Sequence, residues 1–208
     1  TIEELRNNED KLNDKQKLGL KYYEDIQKRI PRKEIEEFDK TFKDIFYAVA
    51  PPGSKFEIVG SYRRGAKNSG DIDIIITNKE NNKEAFEKVL DLLIKDNIIT
   101  ELLSRGKTKS MTLVQIKKDS AIRRVDFMYS PPDEYPFALF YFTGSKIFNT
   151  IVRQRAVDLG YTLNEHGLSY FTKGVKGKKI DHEFPTEQSI MKFLGVKYKK
   201  PEERMDGR

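Results

Sequence analysis

An α+β protein is the fold class that this sequence predicts, and three observations lead to that prediction. Several segments have the apolar spacing of amphipathic helices, while shorter runs, such as the three isoleucines at 74–76, are typical of buried strands. Prolines at 131, 132 and 136 mark a boundary beyond which the pattern changes. The 208 residues are 37% hydrophobic, which is enough apolar material for a real core.

The spacing of the apolar residues predicts each element in turn. Helices are predicted over residues 2–27 with an interruption near Gly19, over 31–47 with Pro31 as the first helical residue, and over 82–96. Strands are predicted over 55–60, 71–77, 111–117 and 122–129. Beyond the boundary we predict a helix over 145–159, short strands over 161–163 and 168–171, and a helix over 187–193.

Composition excludes several kinds of site and favours a polyanionic partner. The absence of cysteine rules out disulfides, thiolate zinc sites and a thiol nucleophile, and two histidines leave little for a histidine metal cage. A formal net charge of +6 favours nucleic acid or an anionic membrane surface. No apolar run approaches the roughly 20 residues needed to span a bilayer, and no signal peptide is recognisable, so an intracellular, soluble protein is expected.

Three aspartates on two predicted strands form the candidate catalytic set. Side chains alternate along a strand, so Asp71 and Asp73 lie on one face and Ile72 on the other. Asp126 lies in a second strand, RRVDFMYS, and converges with them if the two strands pair. Carboxylate oxygens are typical ligands of Mg²⁺. Two such ions can activate a hydroxyl nucleophile and stabilise a leaving pyrophosphate in in-line nucleotidyl transfer.

The loop before Asp71 supplies groups that suit phosphate. Gly60 and Gly70 allow close backbone approach, Ser61 and Ser69 carry hydroxyl donors, and Arg64 carries a planar cation; the loop would hold the triphosphate. The alternative is an Asp-x-Asp pair at a solvated strand edge. The Gly-Ser loop upstream and the third aspartate downstream favour chemistry.

At this point the sequence resembles the nucleotidyltransferase superfamily, and more closely the DNA polymerase beta family, the X family of DNA polymerases. The resemblance runs in one order through GSYRRGAKNSGDIDIIIT, RRVDFMYS, LFYFTGSKIFN, GYTLNEHGL and KYKKPEERM. It implies a nucleotidyltransferase palm with a mixed β-sheet and helices, a partial helical N-terminal subdomain and a small α+β C-terminal subdomain. The corresponding boundaries are 1–28, 29–132 and 133–208.

The resemblance also implies a role for each matching residue. The catalytic residues and metal ligands, for two Mg²⁺ ions or Mn²⁺ as a substitute, would be Asp71, Asp73 and Asp126. The residues that bind the incoming deoxynucleoside triphosphate would be Arg29, Ser61, Arg64, Ser69, Gly70, Tyr141, Phe142, Gly144 and Asn149. Asn149 would also face the minor groove together with Arg153, four residues along the same helix. The DNA-binding residues would be Arg124, Arg153, Arg105, Lys107 and Lys109.

Four positions depart from the family pattern. The family has an arginine where Met128 stands, an acidic residue at Lys146, a lysine at Thr150 and a tyrosine at His166. The family arginine can pair with the second catalytic aspartate in an inactive, open state. Met128 cannot form that ion pair with Asp73, so we hypothesise that domain closure is coupled differently here.

The function expected from the sequence is template-directed DNA synthesis by a monomer on gapped or primer-template DNA, in base-excision repair. The short turn at 118–121 lacks the long insertion of template-independent relatives. The family's N-terminal lyase domain would precede this chain, so no lyase activity is expected. Two alternatives stay open: a nucleotidyltransferase with another acceptor, and a catalytically idle DNA-binding protein.

The cellular setting is also left open by the sequence. The sequence is consistent with a natural short polymerase, for example a viral one, and equally with a piece of a longer enzyme. The nucleus is expected for a cellular eukaryotic protein, and the virion or cytoplasm for a viral one. A late basic cluster contains Lys173, Lys176, Lys178 and Lys179. This cluster could hold phosphate or be ordinary solvated loop charge.

Overall fold

The structure, a computed structural model, describes residues 1–205 and has the α+β architecture predicted from the sequence. A helical N-terminal segment leads into a mixed five-stranded sheet, and a lobe of helices around a three-stranded sheet follows. Within the described residues, none of the helices is both long and apolar enough to cross a membrane.

The N-terminal segment is a series of short helices. It contains α1 (Ile2–Arg6), a 3-10 turn (Glu9–Lys11), α2 (Asp14–Lys21) and α3 (Tyr23–Gln27). The Asn13 side chain accepts a hydrogen bond from the backbone N–H of Gln16, and this N-cap marks the start of α2 as a separate helix. Gly19 lies inside α2, so the interruption predicted there is wrong. The breaks fall between α1 and α2 and at Tyr22.

The central unit holds the main sheet. Its elements are β1 (Ile30–Pro31), α4 (Arg32–Val49), β2 (Ser54–Ile58), α5 (Gly60–Arg63), β3 (Asn68–Ser69), β4 (Ile72–Asn78), α6 (Glu84–Lys95), β5 (Ile99–Arg105), β6 (Lys109–Gln115) and β7 (Ile122–Tyr129). Pro31 is the N-cap of α4 and not its first residue. The one-turn helix α5 and the strand β5 were not predicted, and β5 turns the region around Gly106 from a loop into a hairpin with β6.

The C-terminal lobe begins after the proline-rich boundary. Its elements are α7 (Tyr135–Thr143), α8 (Lys146–Asp158), β8 (Tyr161–Asn164), β9 (Gly167–Thr172), β10 (Val175–Lys179), α9 (Glu187–Phe193) and a 3-10 turn (Pro201–Glu203). Neither α7 nor β10 was predicted. Helix α7 has the sequence YPFALFYFT, which is apolar around most of its circumference and shows no amphipathic stripe. Strand β10 is exposed throughout, so it shows no burial pattern.

The main sheet has the strand order β2-β4-β7-β6-β5, in which β4 and β7 are parallel and the other neighbours are antiparallel. Ile74 and Ile76 join the core formed with α4 and α6, whereas Ile75 packs with Met128 and α7 on the opposite face. The strand predicted to be buried on both faces is therefore buried on both. Asp73 and Asp126 lie on the face of Ile75, because side chains alternate along a strand.

Candidate active site

The parallel pairing of β4 and β7 aligns two of the three aspartates. Asp73, the second residue of β4, and Asp126, the fifth residue of β7, are direct partners in the register, and Asp71 immediately precedes β4. Adjacent strands are about 4.8 Å apart, so the two paired carboxylates are neighbours across the ladder. The strand pairing on which the sequence prediction depended is thus present.

Burial and mutual repulsion raise the pKa values of this pair. Burial is the main cause that raises the pKa of Asp73 to about 7, and the negative charges of Asp71 and Asp126 add to it. Burial also raises the pKa of Asp126, while the cations Arg124 and Lys109 oppose the rise. Like charges this close destabilise each other unless a cation or a proton lies between them.

Arg124 supplies part of that positive charge. Its Nη2 donates a hydrogen bond to Asp71 Oδ2 at 2.5 Å, and its Nε lies 4.0 Å from Asp126 Oδ1. The family resemblance assigns Arg124 to DNA binding, and in the structure its guanidinium is paired with a carboxylate. This ion pair occupies Oδ2 of the Asp71 carboxylate.

The residues nevertheless fit a hard cation. Asp126 Oδ1 is buried and has no hydrogen-bond partner, and such an orphaned carboxylate oxygen is an acceptor that a metal ion would satisfy. Within residues 1–205, acidic and histidine side chains are nowhere gathered in threes as a ready-made metal site. The negative charge of Asp71 acts on the pKa values of both Asp73 and Asp126, so the three aspartates are neighbours, while the Asp71 carboxylate is paired with Arg124.

The loop between β2 and β4 brings together a first group of predicted nucleotide-binding residues. Strand β1 pairs with β3, with Ile30 opposite Ser69, and this pairing fixes Arg29 beside the loop. Ser61 Oγ donates to Ser69 Oγ at 2.7 Å. Arg29 donates through Nε to Asn68 Oδ1 at 2.8 Å.

Two glycines in this loop have no room for a side chain. Gly60 has a φ of +64°, and a Cβ atom there would lie 3.1 Å from Asp73 Oδ2. A Cβ on Gly70 would lie 3.2 Å from Arg29 Nη1. The glycines let the loop pass close to the carboxylates and the arginine, as the sequence analysis expected of a phosphate-holding loop.

A second group lines an open cleft of about 400 Å³ between α7, α8 and the loop residue Arg64, which follows α5. The predicted site residues that line it are Arg64, Tyr141, Phe142, Gly144, Asn149 and Arg153. Asn149 Nδ2 donates to the Tyr141 carbonyl at 2.7 Å, and its Oδ1 is buried without a partner. Two positions that depart from the family pattern, Lys146 and Thr150, line the same cleft.

Arg64 joins the loop to the C-terminal lobe at this cleft. Its Nη1 donates to the Thr143 carbonyl at 2.6 Å, and a Cβ on Gly144 would lie 3.1 Å from Nη1. Burial lowers the pKa of the guanidinium without making it neutral. The glycine in the FTGS sequence is therefore required by the close approach of an arginine.

The other predicted DNA-binding residues lie together at the exposed tip of the β5–β6 hairpin. Arg105 Nη2 is paired with Asp91 Oδ1 at 2.7 Å on α6, and Lys107 is exposed in the β5–β6 turn. Lys109 lies on β6 and counteracts the raised pKa values of Asp73 and Asp126. The three cations share this hairpin tip, and Arg105 is the one among them that is paired with a carboxylate in the described residues.

Met128 and His166, the remaining two departures, line a second cleft of about 310 Å³. His166 Nδ1 lies 2.7 Å from Glu134 Oε2, and Lys179 Nζ donates to the other oxygen of Glu134 at 3.3 Å. Met128 and His166, which stand where the family has an arginine and a tyrosine, thus line the same cleft. This cleft lies at the junction of the sheet and the C-terminal lobe.

Sequence reasoning missed a buried ion network at that junction. Glu187 binds both Arg63 and Arg204, and Arg204 is fully buried. Arg63 Nη1 also donates to Thr143 Oγ1 at 2.7 Å. The adjacent arginines of YRRG gave no sign that the first would be buried, and Arg204 carries no local motif.

Comparison with known proteins agrees with this architecture. The family model for the DNA polymerase beta palm matches residues 29–132, and the model for the DNA polymerase beta thumb matches residues 138–205. DNA polymerase lambda of Arabidopsis thaliana is 33% identical over 221 residues, covering 98% of this chain and 41% of the relative. DNA polymerase lambda of Rattus norvegicus is 31% identical, covering 91% of this chain and 35% of the relative.

These relatives are longer proteins, of which the chain spans about two fifths and about one third. The two matched domains together account for most of the residues, and they place the aspartate pair in the palm and the 400 Å³ cleft at its border with the thumb. The resemblance noted in the sequence is confirmed. The chain belongs to the DNA polymerase beta family, the X family of DNA polymerases.

Proposed function

We propose that this chain carries the polymerase centre of a template-directed DNA polymerase, which adds a deoxynucleotide to a primer 3′-hydroxyl. The single observation that carries the proposal is the register of β4 and β7, which sets Asp73 directly beside Asp126. Family membership supports it, since both curated relatives are named DNA polymerases. The activity of the longer relatives is extended to this chain as a proposal.

Each part of the site has a role in the proposed reaction. The buried, unpartnered Asp126 Oδ1 and the neighbouring Asp73 would hold the divalent ions, Mg²⁺ or Mn²⁺, once Arg124 releases Asp71. When bound, two such ions supply Lewis-acid activation of the attacking hydroxyl and stabilise the charge on the leaving pyrophosphate. Asp126, the nearest carboxylate to the primer by family analogy, would take part in the removal of the hydroxyl proton.

The loop and the cleft would position the nucleotide. Ser61, Ser69 and the Gly60 and Gly70 backbone would hold the triphosphate, with Arg29 as its cationic partner. The cleft at the thumb would take the sugar and base. Its unpartnered Asn149 Oδ1 is a free acceptor there, and Arg153 stands four residues along the same helix.

The DNA substrate we propose is a short gap, as in base-excision repair, and the matches to the DNA polymerase beta palm over residues 29–132 and thumb over residues 138–205 support it. Arg124 would contact the primer backbone after it leaves Asp71, and Arg153 would approach the minor groove. Arg105 would first have to leave Asp91, so its part in DNA binding is smaller than that of Lys107 and Lys109.

Primer extension on DNA with a one-nucleotide gap tests this proposal, with each deoxynucleotide supplied alone in Mg²⁺. We expect addition of the templated nucleotide, abolished by a chelator and reduced more than 1,000-fold by Asp126→Asn, a loss on the order of 4 kcal/mol in transition-state stabilisation. Asp44→Asn is the matched control, because Asp44 is exposed on α4 and forms no ion pair in the described residues.

Assays with other substrates distinguish the proposed polymerase activity from the two alternative functions. Preferential extension of an RNA end, or addition without a template, would show a nucleotidyltransferase with another acceptor. Tight binding of gapped DNA without any nucleotide addition by the wild-type protein would show an idle DNA-binding protein. A gapped duplex and an ungapped primer-template compared side by side test the proposed preference for short gaps.

A further inference from the structure

A basic hairpin in the thumb carries features that the proposed polymerase centre does not use. We define the basic hairpin as β9, β10 and the turn between them, residues 167–179. β10 is the edge strand of the three-stranded sheet, and all five of its residues are exposed. The turn consists of Lys173 and Gly174, both with positive φ. Strand β10 and the tip of the hairpin are therefore exposed to solvent, whereas β9 begins with the buried residues Gly167, Leu168 and Ser169.

The hairpin is positively charged and has no carboxylate of its own. Residues 167–180 contain four lysines and no aspartate or glutamate. Lys179 pairs with Asp133 and Glu134. The other three lysines, Lys173, Lys176 and Lys178, form no ion pair with any residue in the described part of the chain. Their charge is available to an external anion.

An exposed aromatic surface adjoins these lysines. Tyr170 on β9 is 51% exposed, and its ring lies 5.8 Å from that of its cross-strand partner Tyr161. The pairing of β9 with β10 shifts between Lys176 and Lys179. Because Lys176 opposes Phe171 and Lys179 opposes Ser169, both Gly177 and Lys178 face the single residue Tyr170, as in a β-bulge.

The bulge keeps the Tyr170 ring open to solvent. A Cβ atom on Gly177 would lie 3.3 Å from Tyr170 Cβ, so any larger residue there would crowd the ring. Glycine at this position leaves the ring uncovered, and the bulge brings Lys178 next to it. A ring with a free face beside several lysines is the arrangement that binds a base by stacking and its phosphates by charge.

Protection of the sheet edge accounts for only part of this pattern. Lysines on an exposed edge strand prevent edge-to-edge association, and that purpose alone would explain Lys176 and Lys178. It does not explain Tyr170, which is 51% exposed, nor Val175, which is 68% exposed on the neighbouring strand. An edge strand that served only to prevent association with the sheet edge of another molecule would not present apolar surface.

We propose that the basic hairpin is a second nucleic-acid contact, which binds single-stranded DNA by stacking a base on Tyr170 and pairing phosphates with Lys173, Lys176 and Lys178. The proposal rests on the proposed function only in taking DNA as the polyanion. Lys179 anchors one end of the hairpin to Glu134, and the tip lies four residues further along β9, roughly 13 Å away. The hairpin would therefore engage a strand outside the polymerase cleft, such as an unpaired template.

Fluorescence anisotropy with a labelled oligothymidylate of about 12 nucleotides tests the inference, without divalent metal or nucleotide. We expect Tyr170→Ser to weaken binding about tenfold and Tyr170→Phe, which retains the ring, to preserve it. The triple change Lys173→Gln, Lys176→Gln and Lys178→Gln should reduce the slope of log affinity against log salt by about 2. Unchanged melting temperatures would establish that the variants fold.

Matched controls separate a local contact from general charge. Tyr47→Ser removes another exposed tyrosine, and Lys40→Gln, Lys43→Gln and Lys95→Gln remove the same charge from α4 and α6. We expect less than a twofold loss of affinity in each. Equal losses in the hairpin and control triples, or full affinity in Tyr170→Ser, would overturn the proposal.

Two further outcomes are distinguishable. If the hairpin triple loses binding to vesicles of phosphatidylserine and phosphatidylcholine but keeps its affinity for the oligonucleotide, the surface binds membrane and the proposal is wrong. If Tyr170→Ser weakens oligonucleotide binding while the wild-type protein fails to extend any primer, the hairpin contact stands and the proposed polymerase function fails.

Discussion

Arg63 and Glu187 form a two-point ion pair between the palm and the thumb, with Nη1–Oε1 and Nη2–Oε2 distances of 3.1 and 2.7 Å. Arg204 Nη1 donates to the same carboxylate at 2.6 Å. One buried anion therefore binds two arginines, one from each side of the junction. Removal of this anion leaves two cations in a poorly hydrated space.

We expect Glu187→Gln to lower the free energy of unfolding by about 3–5 kcal/mol, because it strands the fully buried Arg204 together with Arg63. Urea denaturation measures the loss. Glu183→Gln, an exposed change on the same lobe, should alter stability by less than about 0.5 kcal/mol. Equal stability of the two variants would contradict a stabilising role for the network.

The metal-free protein should become less stable as the pH rises from 5.5 to 8. The pKa of Asp73 is raised to about 7 from an ordinary value of 3.8, so between these two pH values the folded protein holds a proton that the unfolded chain has lost. The resulting stabilisation is complete only below about pH 3.8, declines as the pH rises towards 7 and is lost above it.

Melting temperatures measured in chelator across this range test the effect. Asp73→Asn should flatten the dependence, and the control Asp44→Asn should keep it. Added Mg²⁺ should restore stability at pH 8, because the cation replaces the proton between the carboxylates. A wild-type profile that rises steadily towards pH 8 would contradict the assignment.

Gly60→Ala should lower both stability and primer extension. The φ of +64° disfavours any L-residue, and the new Cβ would press on Asp73 Oδ2. We expect a loss of about 1–2 kcal/mol in unfolding free energy and a fall in activity beyond what partial unfolding explains. Gly19→Ala is the control: no atom approaches within 4 Å there, and in helix α2 the change should stabilise by about 1 kcal/mol.

Met128→Arg tests whether domain closure is coupled differently in this chain. Met128 lies on the face of Asp126 and lines the cleft at the palm–thumb junction. An arginine there would pair with Asp73, lower its pKa and slow single-turnover nucleotide addition several-fold. Met128→Leu should behave as the wild type. If the arginine variant has unchanged single-turnover kinetics, the hypothesis is wrong.

The sequence predicted the central elements well because their patterns are local. Strand β7 and helix α9 were predicted with the bounds that the structure has, and β4 was placed within one residue. Their signals, an alternating run and an amphipathic stripe, depend only on neighbouring residues. Helix α7 was not predicted because it is apolar on nearly all sides and so has no amphipathic stripe. Strand β10 was not predicted because all of its residues are exposed, so it has no alternation of buried and exposed positions.

The sequence identified which residues form the candidate site, but it did not predict how their side chains pair with one another. Glycine, serine and aspartate at fixed spacing identified the loop and the carboxylates, and the structure brings both nucleotide-binding groups to the palm and its border with the thumb. The engagement of Arg124 with Asp71 and of Arg105 with Asp91 could not be foreseen. Each joins side chains from separate elements, whose distances depend on the tertiary packing.

The parallel pairing of β4 with β7 also determines when the catalytic centre can form during folding. Arg124 and Asp71 are 53 positions apart, and the chain between them must first build α6, β5 and β6. Closing such a long loop is slow compared with forming a hairpin. Recovery of nucleotide addition during refolding should therefore lag behind the return of helical signal, so that enzymatic activity reports the late closure of the central sheet.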